Sequence, residues 1–459
     1  MTNESLKIDN ARFLITVDPE RRMIRDGTIV TDGQRITHVG KTAALTSVHA
    51  DRVIDATEMV VTPGFINGHL HVSYAHATRG IFPDDLGADY LPNVFKLQAA
   101  MTEEEEYHTS LLGITELLKY GTTTFVDPGS TKFLDACMEV YEQAGCRIIV
   151  GAHNTDLPNP VNVPVYETAA AVNIMQKTIE TFNGRLDGRV QAWAMPFAAD
   201  YATRDLLVQA KRLADAYGVS MTLHQSNDQA SIDLHQEKYG MRPVEYLEDI
   251  GVLGPNVVLA HVIGVDEAEI AAMARTESKA VMALTNALKQ GVGLHARGKL
   301  PEMLEAGVCV GLATDAGNNS NLIETMRSMY LVSVFYKDAR RSNKMIPPET
   351  AVEMATIKGA MALGLGDQIG SIEVGKKADL VLFDTKRPEW RTLFNPINNL
   401  VYSADGRSVH TVIVDGRVVV ENHTPQYVDE WQLIQKVQEL GEGMLKRTGV
   451  SFPPKWPVI

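Results

Sequence analysis

The sequence predicts an α/β protein in which a (β/α)8 TIM-like barrel is combined with a small β-sandwich domain built from both chain ends. Between about residues 100 and 365, apolar strand-like runs alternate with amphipathic helices, a pattern typical of a parallel sheet. Before and after this region, short strands are separated by turn residues and show no helical period. We therefore divide the chain into a first sandwich segment (1–60), a barrel (61–366), and a second sandwich segment with a C-terminal helix (367–459).

Capping and turn residues mark the predicted elements. Thr102 and Glu105 form a capping-box pattern before the helix EEEEYHTSLLGITELLKY, and Gly121 separates this helix from the strand TTTFVD. Thr203 precedes the helix DLLVQAKRLADAY, and Gly218 separates it from the strand VSMTLHQ. Helix-to-strand units of this kind recur often enough to complete a barrel. Near the chain end, EWQLIQKVQELGEGMLKR predicts an amphipathic helix suited to docking or oligomer contact.

Composition and charge limit the possible classes of function. The 459 residues are 45% hydrophobic and 22% charged, which suits a large domain with a smaller companion. The net charge of −14 disfavours nucleic acid as a partner, because its phosphates would be repelled. The sequence has no apolar run of membrane-spanning length, no signal-peptide pattern in MTNESLKIDN, and only three cysteines. We expect a cytoplasmic protein that binds a small-molecule substrate and has no membrane partner.

Metal-binding residue types end several of the predicted barrel strands. His69 and His71 follow the run VVTPGFING, and residues two apart on a strand point to the same side. His224, His261 and Asp315 end later apolar runs in the same way. Because active sites of such barrels lie at the carboxyl ends of the strands, these side chains are predicted to meet. His69, His71, His224 and Asp315 offer three imidazoles and a carboxylate, which suit one divalent ion, with zinc preferred and iron, cobalt or manganese acceptable.

These residues lie in motifs that resemble the amidohydrolase superfamily, in the branch of cytosine and guanine deaminases and triazine hydrolases. The likeness covers nearly the whole chain and rests on PGFINGHLHVS, TLHQS, LAHVIGV, GLATDAGNNSN, ATIKGAMALGL and GSIEVGKKADLVLFD. It implies one divalent metal ion per chain bound by His69, His71, His224 and Asp315. It also implies that His261 stands beside the metal-bound water and that the protein forms a homo-oligomer. Relatives with two metal ions use a carboxylated lysine on the fourth strand, and the candidate strand VQAWAMPFAAD contains no lysine, so we expect a mononuclear site.

One position departs from the deaminases of this branch. They carry a glutamate three residues after the histidine of the fifth strand, where this chain has Asn227. An amide cannot carry a proton at ordinary pH, and loss of a general acid/base costs ~10²- to 10⁴-fold in rate. Asp228 is adjacent, but regular strand alternation would turn it to the opposite side unless a bulge intervenes.

The missing glutamate favours a substrate that needs less help with protonation. The leading hypothesis is a mononuclear metal-dependent amidohydrolase that cleaves a C–N bond of an amide, urea or carbamate by metal-activated water, with His261 and Asp315 as catalytic residues. Such an enzyme would resemble phenylurea and thiocarbamate hydrolases. The alternative is an aminohydrolase acting on a purine, pyrimidine or triazine ring, in which His261 or Asp315 transfers the proton. A third hypothesis is a barrel that binds a ligand without turnover.

Several residues are candidates for contact with the substrate or for support of the site. Asn227 offers an amide next to the predicted centre, as do Asn318 and Asn319. Phe82 lies in the long segment after the first barrel strand, which covers the pocket in relatives. Asp127 is predicted to fix the loop after the second strand. His76 and His295 are predicted to be loop residues rather than ligands.

Overall fold

The computed structural model describes residues 4–73, 77–318 and 320–458. The strands are β1 (Leu6–Ile15), β2 (Met23–Asp32), β3 (Arg35–Lys41), β4 (Arg52–Asp55), β5 (Met59–Pro63), β6 (Phe65–Asn67), β7 (Thr122–Val126), β8 (Arg147–Val150), β9 (Val190–Ala192), β10 (Met221–Gln225), β11 (Val257–His261), β12 (Lys279–Met282), β13 (Val310–Leu312), β14 (Leu380–Asp384), β15 (Val409–Val414), β16 (Arg417–Glu421) and β17 (Thr424–Pro425). The α-helices are α1 (Tyr90–Ala100), α2 (Glu103–Lys119), α3 (Leu134–Ala144), α4 (Thr168–Phe182), α5 (Arg204–Tyr217), α6 (Gln229–Tyr239), α7 (Pro243–Asp249), α8 (Glu267–Arg275), α9 (Leu284–Gln290), α10 (Leu294–Arg297), α11 (Leu300–Glu305), α12 (Thr325–Ala339), α13 (Pro348–Ala355), α14 (Ile357–Ala362), α15 (Pro396–Asn398) and α16 (Glu430–Thr448).

Strands from both ends of the chain share one sheet. Its order is β17–β16–β15–β14–β5–β1–β2–β3, with β4 beside β1, which makes nine strands within the described residues. β5 joins the two ends, because it pairs in parallel with β1 and antiparallel with β14. The predicted β-sandwich is thus one continuous hydrogen-bonded sheet. Since β5 crosses the predicted boundary at residue 60, the division into 1–60, 61–366 and 367–459 stays a prediction.

The side chains of β14 show that this sheet faces two cores. Leu380 and Leu382 pack in a small apolar cluster inside the sheet unit. Val381 and Phe383 belong to the large core of the protein. Because successive side chains of a strand point to opposite faces, this alternation places the sheet between its own core and the main one.

The middle of the chain contains parallel strands that alternate with helices, as predicted. Among the described residues they form two four-stranded sheets, β6–β7–β8–β9 and β10–β11–β12–β13. Backbone hydrogen bonds also connect the outer strands of the two sheets. The Thr222 N–H donates to the Ala194 carbonyl at 3.1 Å, and the Gly68 N–H donates to the Leu312 carbonyl at 2.8 Å. The carboxyl ends of all these strands therefore face the same side of the molecule.

The predicted caps of two helices are present. The Thr102 hydroxyl accepts a hydrogen bond from the Glu105 N–H, and the Glu105 carboxylate accepts one from the Thr102 N–H. The Thr203 hydroxyl caps α5, and Gly218 ends this helix with a φ of 63°. Across the residues that the structure covers, we find no helix with the length and apolarity needed to cross a bilayer.

Two features connect the mixed sheet to the parallel strands. Gly64 alone separates β5 from β6, and a Cβ at this position would overlap the side chain of Thr123. In addition, Arg147 of β8 donates two hydrogen bonds of 3.1 Å to Asp379 and contacts Asp415 at 3.3 Å. These three side chains are buried, and Asp415 also contacts Lys377 at 3.0 Å, so each buried charge has an opposite charge beside it.

Replacing Arg147 tests this buried ion cluster. Arg147→Met keeps apolar volume but leaves Asp379 as a buried charge without its bidentate partner, so we expect the free energy of unfolding to fall by about 3–5 kcal/mol. The measurement is urea unfolding followed by circular dichroism. Arg275→Met is the matched control, because Arg275 forms an exposed pair with Glu248 and its loss should leave the midpoint nearly unchanged. Equal midpoints for the two variants would contradict the role of the cluster.

Candidate metal centre and adjoining cavity

Five predicted site residues lie together at the carboxyl ends of β6, β10, β11 and β13. His71 Nε2 is 3.4 Å from His224 Nε2 and 3.3 Å from Asp315 Oδ1. His69 Nε2 is 3.8 Å from Asp315 Oδ1, and His261 Nε2 is 3.9 Å from Asp315 Oδ2. All five side chains are buried. We call these five residues the candidate centre, since the structure brings together the predicted ligands and the predicted catalytic histidine.

Contacts between the ends of β6 and β13 position this centre. The Asp315 N–H donates to the His69 carbonyl at 3.0 Å. Just before these residues in each segment, the Asn67 amide donates to the Thr314 hydroxyl at 2.7 Å and accepts from the Thr314 N–H at 3.2 Å. Asp315 and His261 have φ angles of 64° and 77°, in the left-handed region that non-glycine residues rarely adopt. Such conformations are frequent at functional sites, where the surrounding structure enforces them.

The donor atoms fit a single divalent ion. An ion with tetrahedral bonds of about 2.05 Å to nitrogen places its donor atoms about 3.3 Å apart, close to the distances from His71 Nε2 to its two neighbours. His224 Nδ1 donates to the Phe197 carbonyl at 2.6 Å, which leaves the lone pair of Nε2 for an ion. Among the described residues, neither ring nitrogen of His69 has a hydrogen-bond partner although both are buried. A bound ion would engage such a nitrogen, which is otherwise costly to bury.

Burial sets the protonation states that metal ligands require. Burial, together with His71 and His261, lowers the pKa of His224 to about 3. Burial and the neighbouring His224 lower the pKa of His69 well below its usual value. Burial by itself raises the pKa of Asp315, but the hydrogen bond with His71 and the nearby histidines lower it overall. The imidazoles of His69 and His224 are therefore neutral and the Asp315 carboxylate is ionised at neutral pH, which are the states that bind a metal ion.

A cavity of about 650 Å³ opens beside His224. Its apolar wall includes Leu91, Val161 and Phe197, and its size lies in the range of sites for small molecules. Its polar lining, on the segments after β9 and β10, includes Asp200, Asn227 and Asp228.

The structure changes the predicted direction of Asp228. Ser226 has a φ of 50°, so the regular strand alternation ends two residues after His224. Asn227 and Asp228 consequently line the same cavity, and Asp228 Oδ1 also accepts from the Ser231 N–H at 3.0 Å at the start of α6. The structure thus realises the exception that the sequence left open, because the turn at Ser226 interrupts the strand alternation that would have turned Asp228 to the opposite side.

The predicted substrate residues have different surroundings. Asn227 lines the cavity, and its Oδ1 is buried without a partner among the described residues. Asn318 is buried and accepts a hydrogen bond from the Tyr90 hydroxyl at 2.5 Å. Phe82 packs against Tyr90 and Phe452, with ring centroids at 5.4 and 5.7 Å, and does not line the 650 Å³ cavity. Its described contacts correspond to packing of the long segment after β6, and its contact with a substrate stays a prediction.

The supporting loop residues agree in part with the predictions. Asp127 Oδ1 accepts hydrogen bonds from the backbone of Gly129 and Ser130, so this carboxylate fixes the loop after β7 as predicted. His295 is exposed on α10. His76 and Asn319 lie outside the described residues.

His153 also stands beside the candidate centre, although its strand end was not singled out from the sequence. Its ring centroid is 5.6 Å from that of His71, 5.4 Å from that of His224 and 4.9 Å from that of Phe197. The sequence contains a signal for this position, because His153 follows the apolar residues IIVGA at the end of β8 in the same way as the predicted ligands follow their strands.

Comparisons with known proteins find relatives that match nearly the whole chain. The model of the amidohydrolase family matches residues 60–419. A 5'-deoxyadenosine deaminase of Methanobrevibacter smithii is 31% identical over 442 residues, which are 96% of this chain and 98% of that protein. The structure of an atrazine chlorohydrolase from Arthrobacter aurescens TC1 complexed with zinc has a TM-score of 0.87 at 24% identity and covers 95% of this chain and 100% of that one. An adenosine deaminase from Xanthomonas campestris with bound zinc has a TM-score of 0.87 at 24% identity, with 96% and 98% covered. The fold is thus of the TIM-barrel type with a separate domain.

Removal of one imidazole tests the ligand set. We expect His69→Ala to lose most of its bound zinc, because the centre loses a buried donor. The measurement is elemental analysis after zinc loading and removal of free metal. His295→Ala is the matched control, since His295 is exposed and distant in sequence from the strand ends. Equal zinc content in the two variants would count against His69 as a ligand.

Proposed function

Because the chain belongs to the amidohydrolase family, we propose that it is an aminohydrolase that removes an amino group from a purine-like ring of a small molecule. The family and its deaminase relatives support a metal-dependent hydrolase that acts on a carbon–nitrogen bond. The observation that carries the finer proposal is the 31% identity to a 5'-deoxyadenosine deaminase over 98% of that protein. This relative supports the aminohydrolase hypothesis better than the amide, urea or carbamate hydrolysis that the sequence favoured. A special likeness to phenylurea or thiocarbamate hydrolases stays a prediction.

The proposal includes a closed barrel and one metal ion per chain. We infer that the parallel strands close into a (β/α)8 barrel, since hydrogen bonds connect the outer strands of the two sheets. Zinc is the preferred ion, and the segment VQAWAMPFAAD, which contains β9, has no lysine to bind a second ion. When bound, such an ion lowers the pKa of water and supplies hydroxide near neutral pH. A homo-oligomer and a cytoplasmic location stay predictions.

Asp315 and His261 are positioned for the proton transfers that deamination needs. Asn286 donates to Asp315 Oδ2 and orients the carboxylate. In its ionised state Asp315 accepts a proton from the attacking water and passes it to the departing amine. His261 Nε2 is buried without a hydrogen-bond partner among the described residues and lies 3.9 Å from Asp315 Oδ2, so it is placed to hydrogen-bond an atom attached to the reacting carbon.

The main argument against ring deamination is the absence of a glutamate at position 227, and the neighbouring Asp228 answers it. The buried Oδ1 of Asn227 can accept a hydrogen bond from the substrate amine. Asp228, one residue further on, offers the cavity a carboxylate in place of the glutamate found in deaminases of this branch. Asp228 Oδ1 accepts from Ser231, while Oδ2 remains for a proton relay.

The cavity suits a flat ring with a polar substituent. Phe197 and Tyr201 line it, with ring centroids 6.2 Å apart and planes inclined by only 15°. Parallel aromatic faces favour stacking with a planar heterocycle. Asp200 and Asp228 add carboxylate oxygens that accept hydrogen bonds from hydroxyl groups, such as those of a ribose.

A substrate panel tests the proposed reaction. We expect zinc-loaded protein to release ammonia from 5'-deoxyadenosine or 5'-methylthioadenosine, with little release of amine from an anilide or a phenylurea. Ammonia is measured by a coupled assay and the product by mass spectrometry. Amine release from the anilide or urea, without ammonia from the nucleosides, would contradict the proposal and support the first hypothesis. Bound zinc without turnover in either arm would support the ligand-binding hypothesis.

Asp228→Asn tests the proposed proton relay. We expect kcat to fall by ~10²- to 10⁴-fold with little change in zinc content, because the amide cannot carry a proton but still caps α6. Asp200→Asn is the matched control, since it alters the other carboxylate of the cavity and should change KM more than kcat. An unchanged kcat in Asp228→Asn would exclude this carboxylate as the relay.

A further inference from the structure

The ring of His153 lacks partners within the protein. The residue is partly exposed, but both ring nitrogens are buried, and neither has a hydrogen-bond partner among the residues described. A neutral imidazole has one donor and one acceptor, and burying both without partners is costly. A group from outside the chain would satisfy them.

The backbone of His153, in contrast, is closely held. Its N–H donates to the Gly129 carbonyl at 2.9 Å. Gly129 has a φ of 99°, and a Cβ at this position would overlap the backbone nitrogen of His153. The loop after β7 thus fixes the backbone position of His153, while its two ring nitrogens have no hydrogen-bond partner among the described residues. This combination is typical of a residue positioned for a ligand.

The ring stands between the candidate centre and the apolar wall of the cavity. It meets Phe197 edge-on, with an interplanar angle of 86°. Phe197 packs in turn with Phe95, Val161 and Val163, which offer no polar atoms from their side chains. Among the described residues, two groups have metal-binding donor atoms within 4.8 Å of one another. One is His69 with His224 and His261, and the other is His69 with His71 and Asp315. His153 is outside these groups and therefore stands next to the ion site and not in it.

We propose that His153 is a specificity-determining residue whose imidazole hydrogen-bonds a ring nitrogen of the substrate heterocycle. The inference rests on the proposed function, because it takes the substrate to be a purine-like ring with its reacting carbon at the candidate centre. Aminated heterocycles carry ring nitrogens next to the reacting carbon, and an imidazole can pair with such an atom as donor or acceptor. Phe197 lines the cavity without a polar side-chain atom, so His153, whose ring meets Phe197 edge-on, supplies the polar contact that recognises the ring.

The test compares binding of ring analogues to three forms of the zinc-loaded protein. The forms are wild type, His153→Leu and His153→Gln, and the probes are inosine and its 1-deaza, 3-deaza and 7-deaza analogues. Inosine has no amino group to lose, so calorimetry measures binding without turnover. We expect His153→Leu to weaken inosine binding by about 10- to 100-fold and His153→Gln by less, because glutamine keeps a donor and an acceptor.

One analogue should remove the difference between the variants. The deaza compound that lacks the contacted nitrogen should bind wild type and His153→Leu with similar affinity, as in a double-mutant cycle. A merely structural role of His153 would weaken all four ligands equally, and that result would overturn the proposal. Undetectable inosine binding to wild type, or equal inosine binding to wild type and His153→Leu, would overturn it as well. His295→Leu, with unchanged zinc content and affinities, is the control for loss of a histidine.

Failure of this inference can be told apart from failure of the proposed function. Ammonia release from nucleosides by the wild-type protein tests the function, whereas the dependence of binding on His153 and on the ring atom tests the contact. Ammonia release combined with binding that ignores His153 would overturn the contact alone. Analogue-dependent binding without any ammonia release would support the contact and contradict the aminohydrolase.

Discussion

The contact between the first and the last parallel strand is the constraint on which the candidate centre depends. Asn67 and Thr314 are 247 residues apart in sequence, yet their side chains and backbone exchange hydrogen bonds. Next to them, the Asp315 N–H donates to the His69 carbonyl. Without this junction the carboxylate of β13 would not reach the imidazoles that follow β6. The chemistry of the site is therefore inseparable from the completion of the strand array.

The clustering of the candidate centre could be predicted because the relevant signal is local. Each candidate histidine or aspartate ends an apolar run, and parallel strands bring such ends to one side of a sheet. The same signal exists for His153, whose importance emerges only when its distance to His71 and Phe197 is known. The short strands separated by turn residues at both chain ends predict that the two ends pair. They do not predict that β5 lies between them.

Other features depend on geometry that a residue pattern does not encode. The side to which Asp228 points follows from the left-handed φ of Ser226, a single backbone torsion. Phe82 packs against Phe452, a residue from the far end of the chain, and a local pattern cannot reveal such a contact. The same backbone torsion bears on the aminohydrolase hypothesis. A missing glutamate at position 227 argued against ring deamination only as long as the neighbouring carboxylate was taken to face away.

The junction at Gly64 has a mechanical consequence. The chain passes from β5 of the outer sheet into β6 with one residue between them, and that residue is tightly enclosed by Thr123. The buried pairing of Arg147 with Asp379 adds a second attachment on a neighbouring strand. These two attachments join the outer sheet closely to the strands that carry the candidate centre. We therefore expect the outer sheet and these strands to move together as one unit while a substrate enters and its product leaves.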